Sequence, residues 1–246
     1  MKHLTLTTLL LALILNCAPL QAAELLVFAG AGMRVPLVEL GQNFTSATGI
    51  DVAYDFAGSG RLGGKILMGV TPDLFIPGSE KWAERLTSEG YLAECLPLAY
   101  HTPVIITPVG NTRVKSLADL TRSDVKIALG DPGAAAIGRN NLKLFERAGI
   151  DPTTINVVAR GVTVKQLVQW VEAGSVDAAI VWRADATQSG QVATIEIPAA
   201  LNPVERIPMC RTKNPAHPEE AAQFWNYLRS EAAAVFATQG FEPIHP

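Results

Sequence analysis

Leu25-Leu-Val-Phe-Ala-Gly-Ala-Gly32 is a short apolar run that stops abruptly in small residues, and a helix-like segment begins at Met33. The same design recurs at Val52-Ala-Tyr-Asp-Phe56, followed by Ala57-Gly-Ser-Gly60 and a second helical stretch. A strand that ends in a Gly/Ser turn opening a helix leaves backbone N–H groups unpaired at the positive end of the helix dipole. Such an end attracts anions. Two of them in close succession, behind an export signal, predict a secreted protein that grips a small anion.

The start of the chain reads as that signal. Lys2 and His3 are basic, residues 4–15 form a leucine-rich apolar core, and Ala18-Pro-Leu-Gln-Ala-Ala23 is a small-residue cleavage region. Residues 1–22 are therefore expected to be a signal peptide, cut after Ala22 or Ala23, and the mature protein to work in the periplasm. The alternative is lipid anchoring at Cys17; Asn16, where a small residue is wanted, argues against it. The apolar core is shorter than the roughly 20 residues of a membrane span.

With 20 basic and 23 acidic residues, the formal net charge is −3. A mildly acidic chain without a basic stripe excludes nucleic acid as a partner. Anion binding has to be local, made by dipoles and a few side chains. Beyond the signal the cysteines are Cys95 and Cys210, and in an oxidising compartment they are expected to form a disulfide. Two separate buried thiols are the alternative. His101, His217 and His245 are scattered without metal-ligand spacing; each reads as an ordinary surface or cap histidine, and no residue is assigned as a metal ligand.

Strand-like segments read at about 25–29, 51–56, 73–76, 103–108, 125–129, 155–159, 177–182 and 204–210. Helix-like segments read at about 33–48, 60–69, 80–89, 116–121, 137–148, 163–173 and 217–238. Ser79 before Glu80 reads as the cap of the third helix, Gly90 as its stop, and Gly149 and Gly174 as two further stops. This alternation predicts an α/β fold, with parallel strands and helices on both faces. In open sheets of that kind ligands bind outside the carboxyl ends of the strands. Gly30-Ala-Gly32, Gly58-Ser-Gly60 and Gly130-Asp-Pro-Gly133 all fall there. Any tight turn uses glycine; clustering at one edge is what a binding cleft produces.

Six stretches carry a family resemblance: Val27-Phe-Ala-Gly-Ala-Gly-Met33, Phe56-Ala-Gly-Ser-Gly-Arg-Leu62, Pro72-Asp-Leu-Phe-Ile-Pro77 with Lys81-Trp82, Gly130-Asp-Pro132, Ala179-Ile-Val-Trp182, and the tail Phe224-Trp-Asn-Tyr-Leu228 to Gly240-Phe241. In that order, over the whole mature chain, they resemble the periplasmic molybdate/tungstate-binding proteins of ABC importers, within the type II periplasmic binding protein superfamily. The resemblance implies a two-lobed α/β fold, each lobe a mostly parallel sheet flanked by helices, joined by two crossing strands around an enclosed oxyanion. Lobe 1 is then 24–102 plus 204–246, and lobe 2 is 103–203. A Cys95–Cys210 bridge, bordering the crossings so assigned, is expected to pin them and limit hinge motion. The resemblance also implies a monomer that passes molybdate or tungstate to an ABC permease at the inner membrane. It implies no catalysis, and no cofactor other than the bound oxyanion.

Carried over by position, the anion would be held by neutral donors at Gly32, Ser59, Ile137, Val164 and Trp182. Ser59 matches the family's hydroxyl donor, while Ile137 and Val164 would act through backbone N–H groups. Gly32 stands where the family usually has serine, leaving only its N–H, and Trp182 replaces a tyrosine hydroxyl with an indole N–H. Ala31, Gly60 and four arginines (Arg34, Arg61, Arg139 and Arg183) lie beside these positions. An inward arginine would add bidentate charge-assisted bonds; the alternative is solvated surface arginines. Molybdate, tungstate and sulfate are fully deprotonated at neutral pH and suit a donor-only site. Phosphate keeps a proton and benefits from an acceptor carboxylate, for which Asp55, Asp73 and Asp131 are the candidates. Asp131, in Gly-Asp-Pro, reads as a turn or cap residue, and Asp73 as one that orients a loop.

A sensor module for a different oxyanion, sulfate or phosphate, is the second reading. Gly58-Ser-Gly-Arg-Leu-Gly63 also matches G-x-G-x-x-G, the signature of a dinucleotide-binding enzyme. It follows the second strand rather than the first, and no acidic residue ends a strand about 20 residues later. Ser59 has no histidine near it in sequence and sits in no G-x-S-x-G, so a catalytic role lacks support.

Overall fold

The computed structural model describes residues 24–244. The expected signal peptide, Cys17 and His245 lie outside the described residues. The chain builds two mixed sheets with helices on both faces. In the first, β1 (Glu24–Gly30) pairs in parallel with β2 (Asp51–Ala57) on one side and β3 (Leu74–Ile76) on the other. The apolar run of β1 is explained by cover on both faces. Leu25, Val27 and Ala29 pack towards α1 (Arg34–Thr48) and α7 (Pro218–Thr238), and Phe28 packs towards α2 (Ser59–Leu67) and α3 (Glu80–Ser88). Leu37, Leu40 and Phe44 line one stripe of α1, at helical spacing, against Phe224 and Leu228 of α7.

The remaining strands of this sheet are β4 (Leu92–His101), β10 (Glu205–Thr212) and β11 (Glu242–Pro243), in the order β11-β4-β10-β3-β1-β2. β10 is antiparallel to both β3 and β4. β4 therefore runs in the same direction as β1, β2 and β3, and its last residue, His101, arrives at their carboxyl edge.

The second sheet has the order β7-β6-β8-β5-β9. Its parallel part is β6 (Ile127–Gly130), β7 (Val157–Gly161) and β8 (Ala178–Trp182), followed respectively by α4 (Ala136–Ala148), α5 (Val164–Glu172) and α6 (Arg183–Ser189). β5 (Pro103–Pro108) is antiparallel to β8, with Pro103 opposite Trp182, and β9 (Val192–Glu196) closes the edge. Thr102 thus carries the chain from the carboxyl edge of one sheet directly to the carboxyl edge of the other.

Sequence reading misses β4, β9, α6 and β11. The β4 run lacks β-branched residues and contains Pro97, which argues against a strand. The strand forms because Pro97 faces Pro208 where the β4–β10 register shifts, so two residues without N–H groups share one irregularity. β9 and β11 are short edge strands, and α6 has seven residues, too few to show a period. Ser79 does occupy the cap position of α3 but makes no side-chain cap hydrogen bond.

Cys95 and Cys210 face each other across β4 and β10 and are joined by a disulfide. The bridge does not pin the crossings. It lies six residues before His101 along β4, about 20 Å at strand rise, with both partners in the first sheet. The crossings are tied instead by the buried Asn202, whose Nδ2 donates to the Pro103 carbonyl at 2.9 Å.

The glycines of Gly58-Ser-Gly-Arg-Leu-Gly63 have a packing explanation. A Cβ on Gly63 would stand 2.2 Å from Cε3 of Trp82, so this glycine lets α2 lie against the indole of α3. A Cβ on the neighbouring Gly64 would meet nothing within 4 Å. The two positions should respond oppositely to alanine. Gly64→Ala is expected to raise stability by about 0.5–1 kcal/mol through helix propensity, whereas Gly63→Ala should lower it through overpacking that outweighs the same gain. Urea midpoints of the two variants check the pair.

Candidate functional site

The parallel strands of each sheet end at one edge, and a helix starts after β2, β6, β7 and β8. Its first N–H groups are those that a helix cannot pair internally. Gly32 lies in the 3-10 turn Ala31–Met33 that follows β1. Ser59 is the first residue of α2, and its Oγ accepts the Gly78 N–H at 2.9 Å, tying the end of β3 to this helix start. The hydroxyl hydrogen remains free to donate. Ile137 is the second residue of α4; its side chain is wholly buried, so only its N–H is at issue. Val164 opens α5 behind a capping box in which Gln166 N–H donates to Thr163 Oγ1 and Gln166 Oε1 accepts from the Val162 and Thr163 N–H groups. The loops before α4 and α5 are joined by a 2.8 Å bond from Asp131 N–H to the Gly161 carbonyl.

Trp182 ends β8 and is 6 % exposed. The N–H of Arg183 after it donates to the Thr102 carbonyl at 2.8 Å, so the first N–H of that helix is spent on the crossing. Trp182 packs against His101 in a tilted contact, with ring centroids 4.7 Å apart, and Phe241 packs against the same ring at 5.3 Å. The expectation of a surface or cap histidine is wrong for His101, which is also 6 % exposed. His217 does sit at the cap position of α7, without a side-chain cap bond. A Cβ on Gly32 would lie 4.0 Å from His101 Cε1, and one on Gly78 would lie 4.0 Å from His101 Nε2 and 3.7 Å from Ser59 Oγ. Gly32, Ser59, Gly78 and Trp182 are thus gathered around one imidazole that sequence reasoning passed over. The only signal for it was position: it sits between two apolar runs, where one strand hands over to the next.

The flanking arginines are largely engaged elsewhere. Arg34 lies over the Phe56 ring at 4.3 Å, Arg139 donates to the Pro132 carbonyl at 3.1 Å, and Arg183 forms a bidentate pair with Glu196 at 2.6 Å for each bond. The side chain of Arg61, in the first turn of α2, has no hydrogen-bond or ion-pair partner among the described residues. Ala31 and Gly60 are exposed in the turns beside Gly32 and Ser59. The carboxylates are engaged as well. Asp55 pairs with Lys65, Asp73 accepts from the N–H groups of Leu26 and His217, and Asp131 Oδ1 accepts from those of Gly133 and Ala134. Among the described residues no three His, Cys, Asp or Glu side chains are grouped to hold a metal ion.

The profile of the bacterial extracellular solute-binding protein family matches residues 25–242. A Haemophilus influenzae protein is 29 % identical over 246 residues, 99 % of each chain. The molybdate-binding protein ModA of Mycobacterium tuberculosis is 28 % identical over 211 residues, 84 % of this chain and 79 % of its own. Among solved structures, a substrate-binding domain from Clostridium difficile superposes with a TM-score of 0.81 at 22 % identity, covering 91 % of this chain and all of that one.

Burial alone pushes the His101 pKa down to about 4, against about 6.5 in an unfolded chain. The unfolded state therefore takes up the proton first as pH falls. The stability tied to a neutral His101 is complete above pH 6.5 and is lost between about 6.5 and 4, to the extent of about 3 kcal/mol. Asp185, pushed up to about 6 by burial, works in the opposite sense: its contribution is present in acid and is lost as pH rises through 6. His101→Phe keeps the ring packing and removes the titration. The wild type should accordingly lose about 3 kcal/mol relative to this variant between pH 7 and pH 4, with Asp185 cancelling because both proteins carry it. Urea unfolding at the two pH values measures the difference.

Proposed function

We propose, given that this chain belongs to the bacterial extracellular solute-binding protein family, that it captures one tetrahedral oxyanion in the periplasm and hands it to an ABC permease without turnover. The anion is molybdate or tungstate. It is held between two lobes, 24–102 plus 204–246 and 103–203, by the N–H groups of Gly32, Ile137 and Val164, the Ser59 hydroxyl and the Trp182 indole.

One observation supports this reading: the helix starts at the carboxyl edges offer donors, while of the carboxylates beside them Asp55 pairs with Lys65 and Asp131 Oδ1 accepts from the N–H groups of its own turn. A fully deprotonated dianion gains from every such donor. A monoprotonated phosphate brings a hydrogen that the N–H donors do not receive, so it gains less from such a site. The relative named for molybdate supports the choice among dianions. Sulfate is the competitor that donor chemistry alone does not reject, since it differs in size rather than in charge.

Calorimetry with molybdate, tungstate, sulfate and phosphate tests the proposal. Molybdate and tungstate should bind one to one and phosphate about ten- to a hundredfold more weakly, the cost of one unpaired buried donor. Failure of every tetrahedral oxyanion to bind would overturn the reading. Ser59→Ala should reduce affinity by about ten- to a hundredfold by removing one bond to a charged ligand. It should also cost about 1 kcal/mol of stability, because the Gly78 N–H loses its acceptor. An unchanged affinity would remove Ser59 from the site.

A further inference from the structure

We propose that His101 is a direct contact to the bound oxyanion, donating its Nε2–H into the space between the Gly32, Ser59 and Gly78 turns. This rests on the oxyanion reading above and adds a side-chain donor from the crossing strand itself.

Topology puts His101 there: β4 runs with β1, β2 and β3, so its last residue reaches the edge where their turns lie. Its orientation follows from the two glycines. The Cε1–Nε2 edge of the ring faces Gly32 and Gly78, and the point 4.0 Å from Nε2 is only 3.7 Å from Ser59 Oγ. Neither glycine carries a side chain to fill the space that this edge looks into. Trp182 and Phe241 pack against the ring in tilted contacts, at interplanar angles of 35° and 53°. Nδ1 is sealed from solvent without a hydrogen-bond partner.

Chemistry supplies the rest. Burying an imidazole without hydrogen bonds is costly, and phenylalanine would fill the same place without that penalty. An imidazole there has bonding capacity that the empty protein does not use. No charge compensates it. Glu205, opposite His101 on β10, is held by Lys143; Glu242 on β11 accepts from Thr102; and Arg183 beyond Trp182 is paired with Glu196. The ring is neutral at physiological pH, and with Nδ1 sealed the tautomer protonated at Nε2 turns its single N–H to the cleft. It is a neutral donor, like the others in the site.

The experiment compares molybdate and tungstate affinities of the wild type, His101→Phe and His101→Gln, with the melting temperature of each empty protein. The Phe variant keeps the ring packing and loses the donor: it should remain folded and bind about ten- to a hundredfold more weakly. The Gln variant places an amide N–H near the position of Nε2 and should recover most of that loss. If the Phe variant does not fold, His101→Asn, whose shorter amide cannot reach, takes its place with the same expected loss. A wild type that binds while the Phe variant binds equally well overturns the role of His101 alone. So does a folded Gln variant no better than the Phe variant. A wild type that binds no tetrahedral oxyanion overturns the underlying oxyanion reading instead.

Discussion

A helix cannot hydrogen-bond its own first N–H groups, and in parallel βα units those groups all emerge at one edge of the sheet. The architecture of this protein follows from where the chain places that edge. α2, α4 and α5 each begin where a parallel strand stops. The antiparallel strand β10, inserted between β3 and β4, restores β4 to the direction of β1. The first crossing, at Thr102, consequently leaves one carboxyl edge and enters the other. Had β4 run the opposite way, the crossing would have joined the amino edge of the first sheet to the second, and His101 would not stand beside Gly32 and Gly78.

A net charge of −3 coexists with helix starts whose neighbouring carboxylates are engaged, Asp55 by Lys65 and Asp131 by the N–H groups of Gly133 and Ala134. Asp73 stands elsewhere, level with Leu26 before the amino end of β3. It is buried, and its two oxygens are consumed by backbone donors at Leu26 and His217, so it organises the β1–β3–α7 junction rather than facing a ligand. The arginines are treated similarly, Arg183 by Glu196 and Arg34 by the face of Phe56. The remaining donors are short-ranged and directional, a basis for choosing ligands by shape and protonation rather than by charge alone.

Much of the fold was legible because burial on both faces writes an uninterrupted apolar run, as in Leu25-Leu-Val-Phe-Ala, and because glycine marks where the run must stop. The helix starts at Ser59, Ala136 and Val164 followed from the same punctuation to within a residue. β4 was illegible because its stability is tertiary: it is a long partner of β10, interrupted at Pro97 where Pro208 faces it. That omission concealed His101 too, since only a strand leading into the edge reveals that its last side chain is buried. The G-x-G-x-x-G pattern failed in the opposite direction. Its last glycine answers to the bulk of Trp82 on α3, a neighbour that no local pattern discloses.

The disulfide and the crossings divide labour in a way that chain distance makes clear. Cys95 and Cys210 close a separation of 115 residues, and on a chain-entropy account such closure contributes about 4–5 kcal/mol by constraining the unfolded chain. Both cysteines belong to strands of the first sheet, so this stabilisation does not depend on how the two sheets stand to each other. The second crossing is attached to the second sheet's side through α4, where Arg147 donates to the Asn202 carbonyl at 3.0 Å and Asn140 to the Pro203 carbonyl at 2.7 Å. The first is held on both sides, Thr102 donating to Glu242 of β11 and accepting from the Arg183 N–H. Asn202 links the two crossings through its bond to the Pro103 carbonyl. His101 is at once the last residue of the first sheet's strand and the neighbour of Trp182 at the end of β8. A ligand drawn onto its Nε2 would act on the joint itself rather than on one sheet alone.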